Sequence, residues 1–109
     1  NNVLTKYEGT ESVVTIPDGV THIGDYSFKE CKTITEVFMP DSVVSIGKYA
    51  FNKCVKLKEA TVSKKLEVIE TNAFTGCENL KKIKAKRLRN IVDFFQKVRN
   101  MACFYVSVK

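Results

Sequence analysis

The sequence repeats itself at a fixed interval. Cys31, Cys54 and Cys77 recur with a period of twenty-three residues, and aliphatic or small residues follow each cysteine at the third and sixth positions. A fixed period of this length is typical of solenoid proteins, because one such unit has too little apolar surface to form its own core and must stack on its neighbours. The period therefore predicts a stack of similar coils.

Short segments of alternating residue type recur at the same period, and alternation with a period of two predicts β-strands. The five segments are centred on Thr15, Phe38, Thr61, Lys84 and Ser107. Neighbouring strands lie about 4.8 Å apart, so equivalent side chains form ladders along the stack. We predict five short parallel strands, with residues such as Val37 and Met39 facing the core and the residues between them facing solvent.

The segments that connect the strands predict the rest of each coil. A small residue, a phenylalanine and a cysteine recur at fixed spacing, which predicts a single helical or 3₁₀ turn on the convex side with Phe28, Phe51 and Phe74 stacked inside. At the N-terminus, the turn-prone sequence Glu8-Gly9-Thr10 lies between two apolar segments and predicts a hairpin cap. From Leu88 to Val98 the apolar residues follow helical spacing, which predicts an amphipathic helix in the C-terminal cap.

Together these features predict an α/β repeat solenoid that forms a single domain over residues 1–109. Residues 1–13 make the N-terminal hairpin cap, 14–85 three regular repeats, and 86–109 a divergent C-terminal repeat or cap. A length of 109 residues with 44% apolar residues fits one globular domain. No run of eighteen apolar residues is present to cross a membrane. We expect the chain to be a monomer.

The repeat unit Ile-Pro-x-x-Val-x-x-Ile-Gly-x-x-Ala-Phe-x-x-Cys-x-x-Leu-x-x-Val resembles the BspA-like, or treponemal-type, leucine-rich repeat. The unit is clearest from Met39 to Ala60, and the resemblance covers about residues 14–85. It implies a leucine-rich-repeat fold with the strands on the concave face, and a bacterial cell-surface or secreted protein involved in adhesion. The family has no general catalytic or ligand motif, so the resemblance assigns no functional residue.

The four cysteines raise the possibility of disulfides or zinc. Three of them share one ladder position, and Cys103 aligns with the core position of Leu80, where a free cysteine packs as a small apolar residue. Zinc sites use close ligand pairs such as C-x₂-C, whereas neighbouring cysteines in this chain are at least one full repeat apart and the chain has one histidine. We expect reduced, buried thiols, no metal and no cofactor.

Catalytic residues are not apparent in the sequence. His22 is the single histidine, and its equivalents in the next coils are Ser45 and Val68, which places it in a solvated turn. Nucleophilic catalysis needs a nucleophile, an oriented base and oxyanion donors that converge on one pocket. No sequence motif for such a set is present, so we expect no enzymatic activity.

The solvent-facing side of the predicted strands is the first candidate binding surface. Phe38 interrupts a row of Thr, Lys and Ser residues, and exposed aromatic residues often anchor a partner. A single exposed apolar residue is also ordinary in globular proteins, so both interpretations stay open. The candidate binding face, for a protein or glycan partner, comprises Glu36, Phe38, Glu59, Thr61, Lys82 and Lys84.

The second candidate surface follows from the uneven charge. The net charge is +6, but residues 79–109 carry nine basic residues against one acidic residue, while residues 1–78 carry a net charge of −2. A dense basic surface attracts polyanions such as glycosaminoglycan, nucleic acid or anionic lipid, or it simply keeps the terminal coil solvated. The candidate basic patch comprises Lys81, Lys82, Lys84, Lys86, Arg87 and Arg89.

Overall fold

The computed structural model describes residues 2–70, 72–85 and 105–108. These residues contain nine strands in two parallel sheets. The four-stranded sheet has the order β1 (Val3–Leu4), β3 (His22–Ile23), β5 (Ser45–Ile46) and β7 (Val68–Ile69). The five-stranded sheet has the order β2 (Val13–Thr15), β4 (Glu36–Phe38), β6 (Glu59–Val62), β8 (Lys82–Ala85) and β9 (Tyr105–Val108). From β1 to β8 the chain alternates between the sheets, so these coils stack into a parallel solenoid.

The five strands predicted from the repeat are confirmed in the predicted register. Thr15 pairs with Phe38, Phe38 with Thr61, and Lys84 with Ser107, and all of these pairings are parallel. β6 and β8 complete the sheet, with Thr61 opposite Lys84. Residues that pair across neighbouring strands of this sheet are therefore one sequence repeat apart.

The core lies between the two sheets and consists of ladders of equivalent side chains. Val37, Ala60 and Ile83 face inward from the five-stranded sheet and are at most 1% exposed. The predicted phenylalanine ladder is confirmed, because Phe51 stacks between Phe28 and Phe74 with ring centroids 4.8 and 5.0 Å apart. These ladders make the core continuous from coil to coil, so each coil covers the apolar surface of the next.

The predicted helical turns on the convex side are wrong, because residues 2–70, 72–85 and 105–108 contain no helix, and hence none that would span a bilayer. The hydrogen bonds of the turn explain the difference. The N–H groups of Tyr26, Phe28 and Glu30 donate to carbonyl oxygens of the next coil. The N–H groups of the intervening residues donate to carbonyls three residues earlier in the same coil. A helix needs successive donors to bond within one segment, so this alternation excludes it.

The predicted N-terminal hairpin is also wrong. β1 pairs in parallel with β3, whereas β2 lies in the other sheet next to β4. Tyr7 stacks on Phe28 with the ring centroids 4.9 Å apart, and Leu4 packs against the same core. Tyr7 thereby covers Phe28, the first phenylalanine of the ladder.

The four-stranded sheet was not predicted, because a strand of two residues such as β3 is too short to show alternation. The predicted helix from Leu88 to Val98 lies outside the described residues. β9 follows that segment, and its backbone pairs with β8 in the predicted register.

Candidate binding face

The strands of the five-stranded sheet expose two rows of side chains on the side away from the core, which we call the strand face. The first row is Val13, Glu36, Glu59 and Lys82, and the second row is Thr15, Phe38, Thr61 and Lys84. The structure thus places all six residues of the candidate binding face together on one surface. Their side chains point outward because the inward positions alternate with them along each strand.

The strand face changes in polarity along the solenoid. Its first two coils carry the exposed apolar side chains Val13 and Phe38, which are 47% and 36% exposed. The middle of the first row is acidic: Glu36 on β4 lies directly opposite Glu59 on β6. The last coil with described side chains is basic, and Lys82 lies opposite Glu59. A partner that covers the whole face therefore meets the apolar Val13 on β2, both Glu36 and Phe38 on β4, the acidic Glu59 on β6 and two lysines on β8.

One ion pair crosses two strands of this face. Lys84 Nζ lies 3.9 Å from Glu59 Oε1, and both side chains are about a third exposed. A partly exposed pair at this distance contributes no more than about 1 kcal/mol to stability. Its geometry leaves lone pairs on Glu59 available to accept further hydrogen bonds.

A groove runs along the edge of the strand face, where its first row meets the residues that lead into the strands. Its volume is about 440 Å³, and it is lined by Thr35, Glu36, Lys58, Glu59, Lys81 and Lys82. The backbone holds the lining in register, because Lys58 N donates to Thr35 O at 2.8 Å and Lys81 N donates to Lys58 O at 3.0 Å. Sequence reasoning missed Thr35 and Lys58 as surface candidates, although both occupy the same repeat position as Lys81.

The basic patch is described only in part. Lys81 and Lys82 line the groove, and Lys84 lies on the strand face. Lys86, Arg87 and Arg89 lie outside the described residues. The three described lysines therefore belong to the same surface as Glu36 and Glu59, so the two candidate surfaces overlap.

The cysteines take part in the core. Cys54 and Cys77 are buried as predicted, and their thiols donate to the carbonyl oxygens of Phe28 and Phe51, each at 3.0 Å. The neighbouring thiol of Cys77, and secondarily burial, raises the pKa of the Cys54 thiol. Cys31 departs from the prediction, because it is only half-buried. Cys103 lies outside the described residues.

His22 is not in a turn. It lies on β3 with its side chain exposed, and its Nδ1 atom is 2.6 Å from Ser45 Oγ on β5. Within the described part of the chain, no group of three or more histidine, cysteine, aspartate or glutamate residues is arranged to hold a metal ion.

Parallel coils with a leucine-rich-type period and an exposed strand face define the class of leucine-rich-repeat proteins. The sequence matches the family model described as BspA type leucine-rich repeat region, with six copies over residues 6–107. The chain therefore belongs to the BspA-type leucine-rich-repeat family, which is typically a non-catalytic binding fold.

Solved structures of similar proteins agree with this assignment. A leucine-rich repeat protein from Bacteroides capillosus is 30% identical, with a TM-score of 0.77 over 98% of this chain and 86% of that chain. A leucine-rich cell surface protein from Faecalibacterium prausnitzii is 26% identical, with a TM-score of 0.57 over 96% of this chain and 35% of that chain. No curated protein matches the sequence.

Proposed function

We propose that this chain is a non-catalytic module of a bacterial cell-surface or secreted adhesin-like protein, and that its strand face binds a protein or glycan partner. The family and the similarity to a cell surface protein support the binding role and the location. The observation that carries the choice of surface is the sheet register, which gathers Glu36, Phe38 and Lys84 with their neighbours on one face.

Apolar and charged side chains both favour binding of a partner at this face. Phe38 is a partly exposed aromatic ring, and such side chains contribute disproportionately to interface free energy. The separated acidic and basic positions give the surface a direction, because a partner of complementary polarity fits it in one orientation. The convex side offers a natural comparison, since Lys29 and Lys53 are exposed there.

The test is a binding screen followed by substitutions. The chain is applied to an array of host glycans and extracellular-matrix proteins, and the variants are measured against every partner found. Phe38→Ala and the double charge reversal Lys82→Glu with Lys84→Glu should each weaken binding about tenfold or more. Lys29→Ala and Lys53→Ala should leave it unchanged. Binding that follows the convex substitutions and ignores those on the strand face would refute the proposal.

Polyanion binding through the basic patch is the second candidate function. Lys82 and Lys84 lie on the strand face and Lys81 lies next to them in the groove, so the three described lysines of the patch are neighbours. This alternative predicts salt-sensitive retention on heparin or DNA. Retention that survives Phe38→Ala and is lost when Lys82, Lys84 and Arg87 are replaced would favour it over the first proposal.

A further inference from the structure

The described residues that line the groove form three repeating ranks, one per coil. Each rank is a pair of neighbouring residues, and the successive ranks are Thr35 with Glu36, Lys58 with Glu59, and Lys81 with Lys82. Because backbone hydrogen bonds join adjacent ranks, their spacing equals the strand spacing of about 4.8 Å. A ligand that lies along the groove therefore meets a new pair of side chains at each such step.

This spacing distinguishes between two kinds of extended ligand. A peptide strand advances about 3.4 Å per residue and presents side chains on one side at about twice that distance, so it loses register with the ranks within a few residues. In a chain of equatorially linked hexopyranoses each sugar advances the chain by close to one strand spacing, so successive sugars lie opposite successive ranks, with each sugar turned over relative to the one before. The geometry thus favours a linear glycan over an extended peptide.

The side chains of the groove suit sugar hydroxyl groups. Glu36 and Glu59 are half-buried, and their carboxylates accept hydrogen bonds from hydroxyl groups. The ammonium groups of Lys58, Lys81 and Lys82 donate hydrogen bonds to hydroxyl and ring oxygens. Hydrogen bonds to charged groups are among the stronger ones in proteins, so a few of them give useful affinity.

The mixed charge of the groove also selects against charged polymers. Three lysines and two glutamates line it, so the net charge of its lining is +1. A sulfated or phosphorylated chain would place its anions next to Glu36 and Glu59, whereas a polycation would meet the lysines. Phe38 follows Glu36 on the same face of β4, and its partly exposed ring offers apolar area to the C–H side of a sugar.

The geometry points to a linear, uncharged, equatorially linked hexopyranose chain that lies in this groove along the solenoid axis, with one sugar per coil. This inference rests on the proposed function, because it names the ligand class of the surface next to the strand face. It assigns the carboxylates of Glu36 and Glu59 and the ammonium groups of Lys58, Lys81 and Lys82 as the ligand-binding groups.

Isothermal titration calorimetry with cello-oligosaccharides and chito-oligosaccharides of two to six sugars tests the inference on the whole chain. Affinity for at least one series should rise steeply from two to three sugars, because the described part of the groove offers three ranks. Glu59→Gln and Lys58→Ala should each reduce the affinity by about tenfold or more, because each removes a charged hydrogen-bonding group. The matched substitutions Glu67→Gln and Lys48→Ala, at exposed positions outside the groove, should not change it.

The experiments distinguish failure of this inference from failure of the proposed function. Absence of binding for both series, or affinity that does not depend on chain length, would overturn the glycan inference. A protein partner that depends on Phe38 and Lys84, without oligosaccharide binding, would overturn this inference and leave the proposed function intact. If a groove variant does not fold, the binding site is mapped on the unmodified chain instead, from the changes in backbone amide chemical shifts when the oligosaccharide is added. Changes centred on Thr35, Lys58 and Lys81 support the inference, and changes elsewhere overturn it.

Discussion

Two residues in each regular turn adopt a left-handed backbone conformation. The first position is held by Tyr26, Tyr49 and Asn72, with φ between 56° and 62°. The second is held by Glu30, Lys53 and Gly76, with φ of 57°, 60° and 81°. Such a conformation costs a residue with a Cβ atom about 1–2 kcal/mol, whereas glycine adopts it freely. The turns are held in place by hydrogen bonds to the next coil, which offset this cost.

At the second position, substitutions at two equivalent sites should change the free energy of unfolding in opposite directions. Glu30→Gly should raise the free energy of unfolding by about 0.5–1 kcal/mol, because relief of the left-handed strain exceeds the added entropy of the unfolded chain. Gly76→Ala should lower it by about 1–2 kcal/mol, since the new Cβ is strained at φ 81° and meets Lys53 Cγ at 3.0 Å. Urea denaturation measures both, and equal signs for the two substitutions would contradict the explanation.

At the scale of structural elements, the stacked aromatic residues join the coils. Tyr7, Phe28, Phe51 and Phe74 form a continuous stack that begins in the N-terminal segment and passes through three coils. Stacked aromatic pairs contribute about 0.5–1.5 kcal/mol beyond the area they bury. The stack lies on the inner side of the turns, where the alternating hydrogen bonds hold each ring over the next.

Phe51 is the test of this stack, because it is fully buried and contacts a ring on each side. Phe51→Ala should lower the free energy of unfolding by about 3–5 kcal/mol, as expected for loss of a buried aromatic side chain and creation of a cavity. Phe38→Ala is the control, and it should cost less than about 1 kcal/mol because Phe38 is 36% exposed. Similar losses for the two variants, measured by chemical denaturation, would be inconsistent with this core.

At the scale of the whole molecule, nearly all strand pairing joins residues of adjacent coils at the repeat distance. The described pairs of the five-stranded sheet, for example Val37 with Ala60, are separated by one repeat, which is about a fifth of the chain. The pairing of Val3 with His22 in the other sheet is only slightly shorter. The pairing between the described strands is therefore far less local than the contacts within a helical bundle.

This topology predicts slow folding. Proteins dominated by contacts at about a fifth of the chain length fold in milliseconds to seconds, because loop closure precedes the gain from pairing. Stopped-flow refolding followed by tyrosine fluorescence should show its main phase in that range. A main phase in microseconds would indicate that local structure, rather than pairing between coils, limits folding.

Much of the fold was predictable from the sequence, because the repeat length specifies which residues of adjacent coils lie next to each other. In a parallel solenoid, the distance between equivalent residues is the register of the sheet, so the alignment of Phe38 with Thr61 and of Phe28 with Phe51 follows from the sequence. The candidate binding face was accessible for the same reason, since alternation along each strand separates Glu36 and Phe38 from Val37. Whether that face binds a partner stays a prediction.

The remaining features depended on tertiary structure, because they are set by hydrogen-bond partners from another coil. The turns are not helical, since Phe28 N donates to Ala50 O rather than within its own segment. β1 joins β3 instead of forming a hairpin, because Leu4 and Tyr7 cover the end of the core. The groove appears only when Thr35, Lys58 and Lys81 are stacked. The sequence by itself determined which residues are equivalent and which face inward. The tertiary structure decided where each backbone donor finds its acceptor, because that choice depends on the whole stack.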